Sequence, residues 1–341
     1  MNVRLSNTNP KMQTDAIAPV MLGARLARAD VTVYAVIMAT ALLMWWLCNR
    51  HAAILPFFAP WDFSFVEFLS GWLIAWWYLR GMTLTPMAER PSFARRAAFF
   101  AGLIAVYLVL ETRYEYLAEH EFFFNRIQHV TMHHLGPFLM ALAWPGETLA
   151  RGAPRWVLRL GHHPVAKTSL AVMQQPIIAG FLFVGLIFFW LIPPVHFRAM
   201  IDPRLFALMN WSMLLDGVLF WFLVLDPRPA PPARTSFGAR AALAGLVMFP
   251  QIAGGAVIAL ARTDIYPYYD LCGRIFPNLG PLYDQTIGGV IIWIPPAMMS
   301  VVAVVLVLNF LRKSEETTSH ANIVDDEYIG PIIDTSAWTG R

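Results

Sequence analysis

The chain has 341 residues, of which 57% are hydrophobic and 14% charged, with a formal net charge of +3. A soluble domain carries about a quarter charged residues, so a mean hydropathy of +0.53 excludes a soluble globular protein and indicates a polytopic membrane protein. So small a net charge gives no footprint for nucleic acid, and two cysteines, Cys48 and Cys272, are too few for a disulfide framework or a thiolate zinc site.

In chain order, a polar leader (1–30) is too long for the charged start of a cleavable signal peptide, so the first apolar run is read as a retained anchor. Eight apolar segments are long enough to cross a bilayer, near 31–49, 63–80, 97–113, 127–145, 170–192, 205–225, 240–261 and 287–311. With the N-terminus placed in the cytoplasm, every inner segment carries more Lys and Arg than every outer one. The expected fold is an all-α polytopic membrane bundle of about eight transmembrane helices with both termini cytoplasmic. Its parts are the leader (1–30), an anchor span with its outer loop (31–60), a seven-span core (61–311) and a disordered acidic tail (312–341).

The fourth segment carries the chemistry. Asn125 to Pro137 places His129, His133 and His134 where a span should be apolar, and ionisable residues there point to function. His129 and His133 are four apart, so an α-helix stacks them on one face, where they could share a metal ion, with the Met132 thioether nearby. The plainer reading is that they hydrogen-bond to neighbouring helices. The loop before them holds Glu111, Glu115, Glu119 and Glu121, read as a solvated acidic face that could also attract cations. His196 falls in an outer loop and His163 on the cytoplasmic side.

Asp284 and Gln285 stand at the mouth of the eighth segment, where a carboxylate favours the helix N-terminus and Asp284 reads as its cap. A capping carboxylate can still support a metal-bound imidazole. Gly288 and Gly289 would let a neighbouring helix approach closely. Cys48 and Cys272 share the outer side, where a disulfide could form. Asp216 is a lone mid-span acid that could pair with a neighbouring polar group. No phosphate-binding loop, serine-hydrolase elbow or zinc-protease helix is present.

From about Trp61 to Phe310 the chain resembles the multi-spanning CtaG-type cytochrome c oxidase assembly factors. The resemblance is carried by Tyr78-Leu79-Arg80-Gly81, Phe99 to Leu103, Gln128-His129 with Gly136-Pro137, His163-Pro164, Phe220-Trp221, Tyr266-Pro267, and Asp284-Gln285 followed by Gly288-Gly289 and Trp293. It implies a non-enzymatic factor in a bacterial cell membrane that assists copper insertion into a haem-copper oxidase. Partners would be the oxidase subunit carrying that centre, copper chaperones and lipid. His129 matches the second histidine of the family's His-Met-x-Gln-His, and Asp284 and Gln285 match its Asp-Gln. The chain departs from the pattern at Asn125, Leu191, Phe206 and Asn210, where the family has histidines.

The expected site is therefore Cu(I) on His129, His133 and Asp284, with His134, His196 or Met132 as further ligands. Gln128, Asn125, Gln285, Gly288, Gly289, Trp293 and His163 would support it. Loss of the four family histidines raises an alternative, a metal-free assembly scaffold. A haem-binding membrane redox protein using His129 or His133 as axial ligand is another. A transporter is disfavoured by the lack of inverted repeats.

Overall fold

The computed structural model describes residues 28–328, over which the chain is helical with no strand. The leader before residue 28 and the last residues of the tail lie outside the described residues. The helices are α1 (Arg28–His51), α2 (Phe65–Leu84), α3 (Phe93–Leu110), α4 (Tyr114–His120), α5 (Phe122–Val130), α6 (Gly136–Ala143), α7 (Gly146–Gly152) and α8 (Arg155–Gly161). They continue with α9 (Pro164–Met173), α10 (Pro176–Leu191), α11 (Pro193–Ile201), α12 (Pro203–Val224), α13 (Phe237–Leu246), α14 (Met248–Leu260), α15 (Tyr268–Cys272) and α16 (Pro281–Tyr328). A five-residue π-helical segment, Thr131–Leu135, joins α5 to α6.

Local sequence explains the boundaries. Ser64, Ser92 and Ser236 cap α2, α3 and α13 by accepting a backbone N–H three residues on, and Asp202 caps α12 through Arg204 and Leu205. Prolines open α9 to α12 at the position where a missing N–H costs nothing.

Among the described residues, five helical stretches are long and apolar enough to cross a membrane: Asp30–Ile54, Phe93–Leu110, Pro203–Val224, Phe237–Leu260 and Pro281–Thr317. The pair α9 and α10, bent by 75°, makes a sixth if it is one crossing. The two other expected spans are helical but more polar. Helix α2 carries Glu67, Arg80 and three tryptophans, and α5–α6 carries the histidine motif.

Helix α16 runs to Tyr328, so the part of the tail expected to be disordered from residue 312 is helical that far. Nothing stops it earlier, because no Gly or Pro falls between Pro296 and Gly330, and Arg312 pairs with Glu316 one turn on.

The core has two main apolar clusters. One gathers Phe122, Met132, Met209 and Met213 with Tyr266 and Tyr269. The other gathers Phe138, Phe183, Phe220 and Trp221 with Ala303 and Val307 of α16. Helices α14 and α16 cross on glycine: a Cβ at Gly255 would lie 2.7 Å from the Gly289 carbonyl oxygen, so the backbones touch without side chains between them. The anchor α1 is tied down by a buried ion pair, Asp30 to Arg80 at 2.6 Å, and Arg80 also donates to the Gly152 carbonyl of α7.

Candidate functional site: a buried polar relay and a small cavity

The site begins with Pro137. It has no N–H to offer the His133 carbonyl one turn back, and the chain responds by widening, with Gly136 N–H donating to the Thr131 carbonyl five residues earlier. The His133 carbonyl then faces α12 at Gly217, where a Cβ would overlap it. A glycine is therefore required for α12 to pack against the π segment.

This widening redirects the histidines. His133 and His134, both buried, turn their Nδ1 atoms toward each other at 3.2 Å. The outer nitrogen of His133 meets Asp216 Oδ2 of α12 at 3.0 Å, and that of His134 meets Gln251 Oε1 of α14 at 3.0 Å. The mid-span acid thus finds its polar neighbour. Phe183 stacks on the His133 ring with centroids 4.2 Å apart.

Proton positions follow from chemistry. Gln251 Oε1 is only an acceptor, so His134 Nε2 carries a hydrogen, and neutral His134 then has a bare Nδ1. His133 Nδ1–H donates to it. Between His133 Nε2 and Asp216 there remains one proton, on the carboxyl or on the imidazole. Asp216–His133–His134–Gln251 is thus a directional hydrogen-bonded relay linking α12, the π segment and α14.

His129 does not join this relay. It lines a small cavity together with His134, Arg126 and Gln251, with Met213, Ile292 and Pro296 also in its wall and about 20 Å³ of room. The expected His129–His133 face is thereby corrected: His129 and His134, five apart, share the cavity because the wider π turn brings residues five apart into line. Three residues of its wall, Arg126, His129 and Gln251, each carry a buried side-chain nitrogen (Nε, Nε2 and Nε2) with no hydrogen-bond partner.

Asp284 is buried and committed elsewhere. Its two oxygens accept from Phe122 N–H (2.9 Å) and Phe123 N–H (2.7 Å), and Arg274 reaches it at 2.5 Å. It therefore caps α5, across the bundle, instead of its own helix. Gln285 clamps the end of α14, accepting from Ile265 N–H at 2.7 Å and donating to the Ile258 and Thr263 carbonyls. A Cβ on Gly288 would overlap the Phe122 ring, and Trp293 packs at Gly255.

The other expected residues scatter. Gln128 donates to the Val109 carbonyl (2.8 Å), and Asn125 accepts from Arg126. His196 bonds to the Tyr269 hydroxyl at 2.9 Å and lines a separate, wider groove of about 440 Å³. Burial, then the nearby Arg126 guanidinium, holds this imidazole well below its usual range. Met132 is buried in the first apolar cluster, and exposed His163 precedes α9. Cys48 and Cys272 are both free, and the Cys48 thiol donates to the Pro60 carbonyl.

The acidic loop is not a solvated face. Glu111, Glu115 and Glu121 are buried, and Glu121 accepts from Arg274 and from Phe276 N–H. Burial, reinforced by the Glu67 carboxylate, pushes Glu111 up to about 8, and Glu115 is raised well above the usual carboxylate range, chiefly by burial.

Among the described residues no group of three or more His, Cys, Asp or Glu side chains is placed to hold a metal ion. The expected trio of His129, His133 and Asp284 is divided among the cavity, the relay and the α5 cap, and the buried Arg126 beside His129 repels a cation.

Residues 72–314 match the cytochrome c oxidase caa3 assembly factor family, Caa3_CtaG. The chain belongs to this family. The match takes in α2 from its second turn through most of α16, and so contains the relay, the cavity and the Asp284 cap. No curated protein and no solved structure matches the chain. Sequence reading missed Arg126, Gln251 and Arg274 as members of these networks. Gln251, a lone amide in an apolar segment, is the available signal, whereas Arg126 lies just before the fourth apolar segment and carries none.

Proposed function

We propose that this CtaG-family protein is a non-catalytic scaffold for assembly of a haem-copper oxidase in a bacterial cell membrane, crossing it about eight times with both termini cytoplasmic. The observation that carries the reading is the family match across residues 72–314. Its client would be the oxidase subunit that carries the haem-copper centre. The buried relay and the cross-bundle cap hold α5, the π segment, α12, α14 and α16 in fixed register, giving a partner subunit a rigid surface.

Copper insertion through His129, His133 and Asp284 has less support, because these side chains serve three different arrangements. The haem reading is weaker still: the free His129 nitrogen belongs to a residue walling a cavity of about 20 Å³, far too small for a macrocycle.

Deleting the gene and complementing it tests the reading. The deletion strain is expected to lose assembled oxidase, seen as loss of its haem absorbance, and wild type to restore it. Under the scaffold reading a folded His129→Ala variant restores it too. Failure of that variant, with copper missing from an otherwise assembled oxidase, would favour copper transfer. Full assembly in the deletion strain would remove the oxidase role altogether.

A further inference from the structure

We propose that α8 and α9 form a helical arm that lies in the inner face of the membrane and binds anionic phospholipid headgroups. The proposal rests on α10 crossing the membrane with the arm on its cytoplasmic side, and it is independent of the oxidase role.

Helices α8 and α9 have 7 and 10 residues, and neither has a single buried residue. Helices this short are marginal in water unless something covers one face. The arm nevertheless exposes Trp156, Leu160, Val165 and Val172, each by half or more, with Leu170 and Met173 beside them. Ile177 and Phe181, 78% and 75% exposed, carry the same apolar surface on into α10. A contiguous apolar surface of this kind marks a contact with lipid or protein.

Geometry sets the depth of the arm. Helix α9 is bent by 75° from α10. A crossing helix tilts on average by about 20° from the membrane normal, which places α9 within about 35° of the membrane plane. The 16 residues of α10 extend about 24 Å, close to the thickness of the hydrocarbon core, so α9 sits at its edge, level with the headgroups.

Charge selects the headgroup. No Asp or Glu falls between Glu147 and Asp202, whereas Arg155, Arg159 and Lys167 lie in the arm. On α8, Arg155 and Arg159 are one turn apart, as are Trp156 and Leu160, so a basic stripe runs beside an apolar one. Arg159 and Lys167 have no ion pair among the described residues. Arg234, from the loop before α13, lines a groove of about 390 Å³ together with Lys167, Thr168 and Gln175. Unpaired cations beside apolar anchors are what an anionic leaflet attracts, each strengthening the hold about fivefold. An acidic protein face would match the charges but not the apolar run that leads from α9 into the membrane-crossing α10.

The test uses the full chain in nanodiscs of phosphatidylcholine, with or without phosphatidylglycerol. In a Cys48→Ser/Cys272→Ser background, a spin label is placed through Leu160→Cys on α8 or Leu170→Cys on α9, and either label suffices if the other variant misfolds. Collision with oxygen reports lipid, and collision with a water-soluble nickel chelate reports water. With phosphatidylglycerol both labels are expected to be shielded from the chelate, and in phosphatidylcholine alone the shielding falls. Arg159→Gln combined with Lys167→Gln is expected to lower the ratio of membrane-held to free arm roughly 25-fold and to raise chelate access with phosphatidylglycerol present. Labels open to the chelate in both lipids would overturn the proposal and leave the arm to a protein partner. Equal shielding in the two lipids, or no change in the double charge variant, would equally overturn it, because apolar insertion alone would then hold the arm. No oxidase is read in this test, so its failure leaves the scaffold reading standing.

Discussion

Replacing Asp284 by alanine separates a structural carboxylate from a metal ligand. The side chain is fully buried, accepts two backbone N–H groups of the first turn of α5, and meets Arg274, itself 11% exposed. A hydrogen bond to a charged group contributes about 1.5–3 kcal/mol, and breaking a buried pair by removing one partner costs about 3–5 kcal/mol. Arg274 keeps Glu121 and Asp270, which limits the loss on its side. The expected cost of Asp284→Ala is therefore about 3–5 kcal/mol, a fall of roughly 10 °C in Tm. Asp284→Asn should recover less than half of this, because its amide oxygen can serve one N–H while its NH2 faces another donor. Thermal unfolding in detergent, followed by tryptophan fluorescence, measures both variants. An Asp284→Ala protein that unfolds within about 1 °C of wild type would refute the capping argument, and loss of bound Cu(I) in such a stable variant would restore Asp284 as a ligand.

Three further outcomes follow from the same geometry. Gly217→Ala should destabilise by about 1–3 kcal/mol, although helix propensity alone predicts a gain of about 1, because the added Cβ meets the His133 backbone; a rise in Tm would show that α12 does not pack there. In a double-mutant cycle, His133→Ala and Asp216→Ala should show a coupling of about 0.5–3 kcal/mol in detergent unfolding, and strict additivity would mean the 3.0 Å contact is not formed. Glu111 is protonated in the folded protein up to about 8, while in the unfolded chain it ionises near its ordinary value. Its contribution is therefore complete below the unfolded value and declines as pH rises toward 8, at up to about 1.4 kcal/mol per pH unit. Glu111→Gln should flatten stability between pH 5 and 8, and an unchanged slope would contradict the assignment.

The sequence by itself determined the class of molecule and the family. Apolar length marks membrane-crossing helices wherever it occurs, because a backbone in lipid must satisfy its own hydrogen bonds, and motifs such as Asp284-Gln285 are legible as strings of letters. It also located Gly136-Pro137, from which the π turn follows. What it left open was direction. A histidine four residues from another shares a face only on a regular α-helix, and the missing N–H of Pro137 alters that register, so His129 meets the cavity with His134 while His133 turns to Asp216. Glu111 to Glu121 read as solvated because charge in a loop usually is, yet Glu111, Glu115 and Glu121 are buried, and Glu121 meets Arg274, 153 residues further along the chain. Asp284 lies at the start of its own helix in sequence but caps another in space. Each of these depends on which helices pack together, and that is decided by long-range contacts no local pattern encodes.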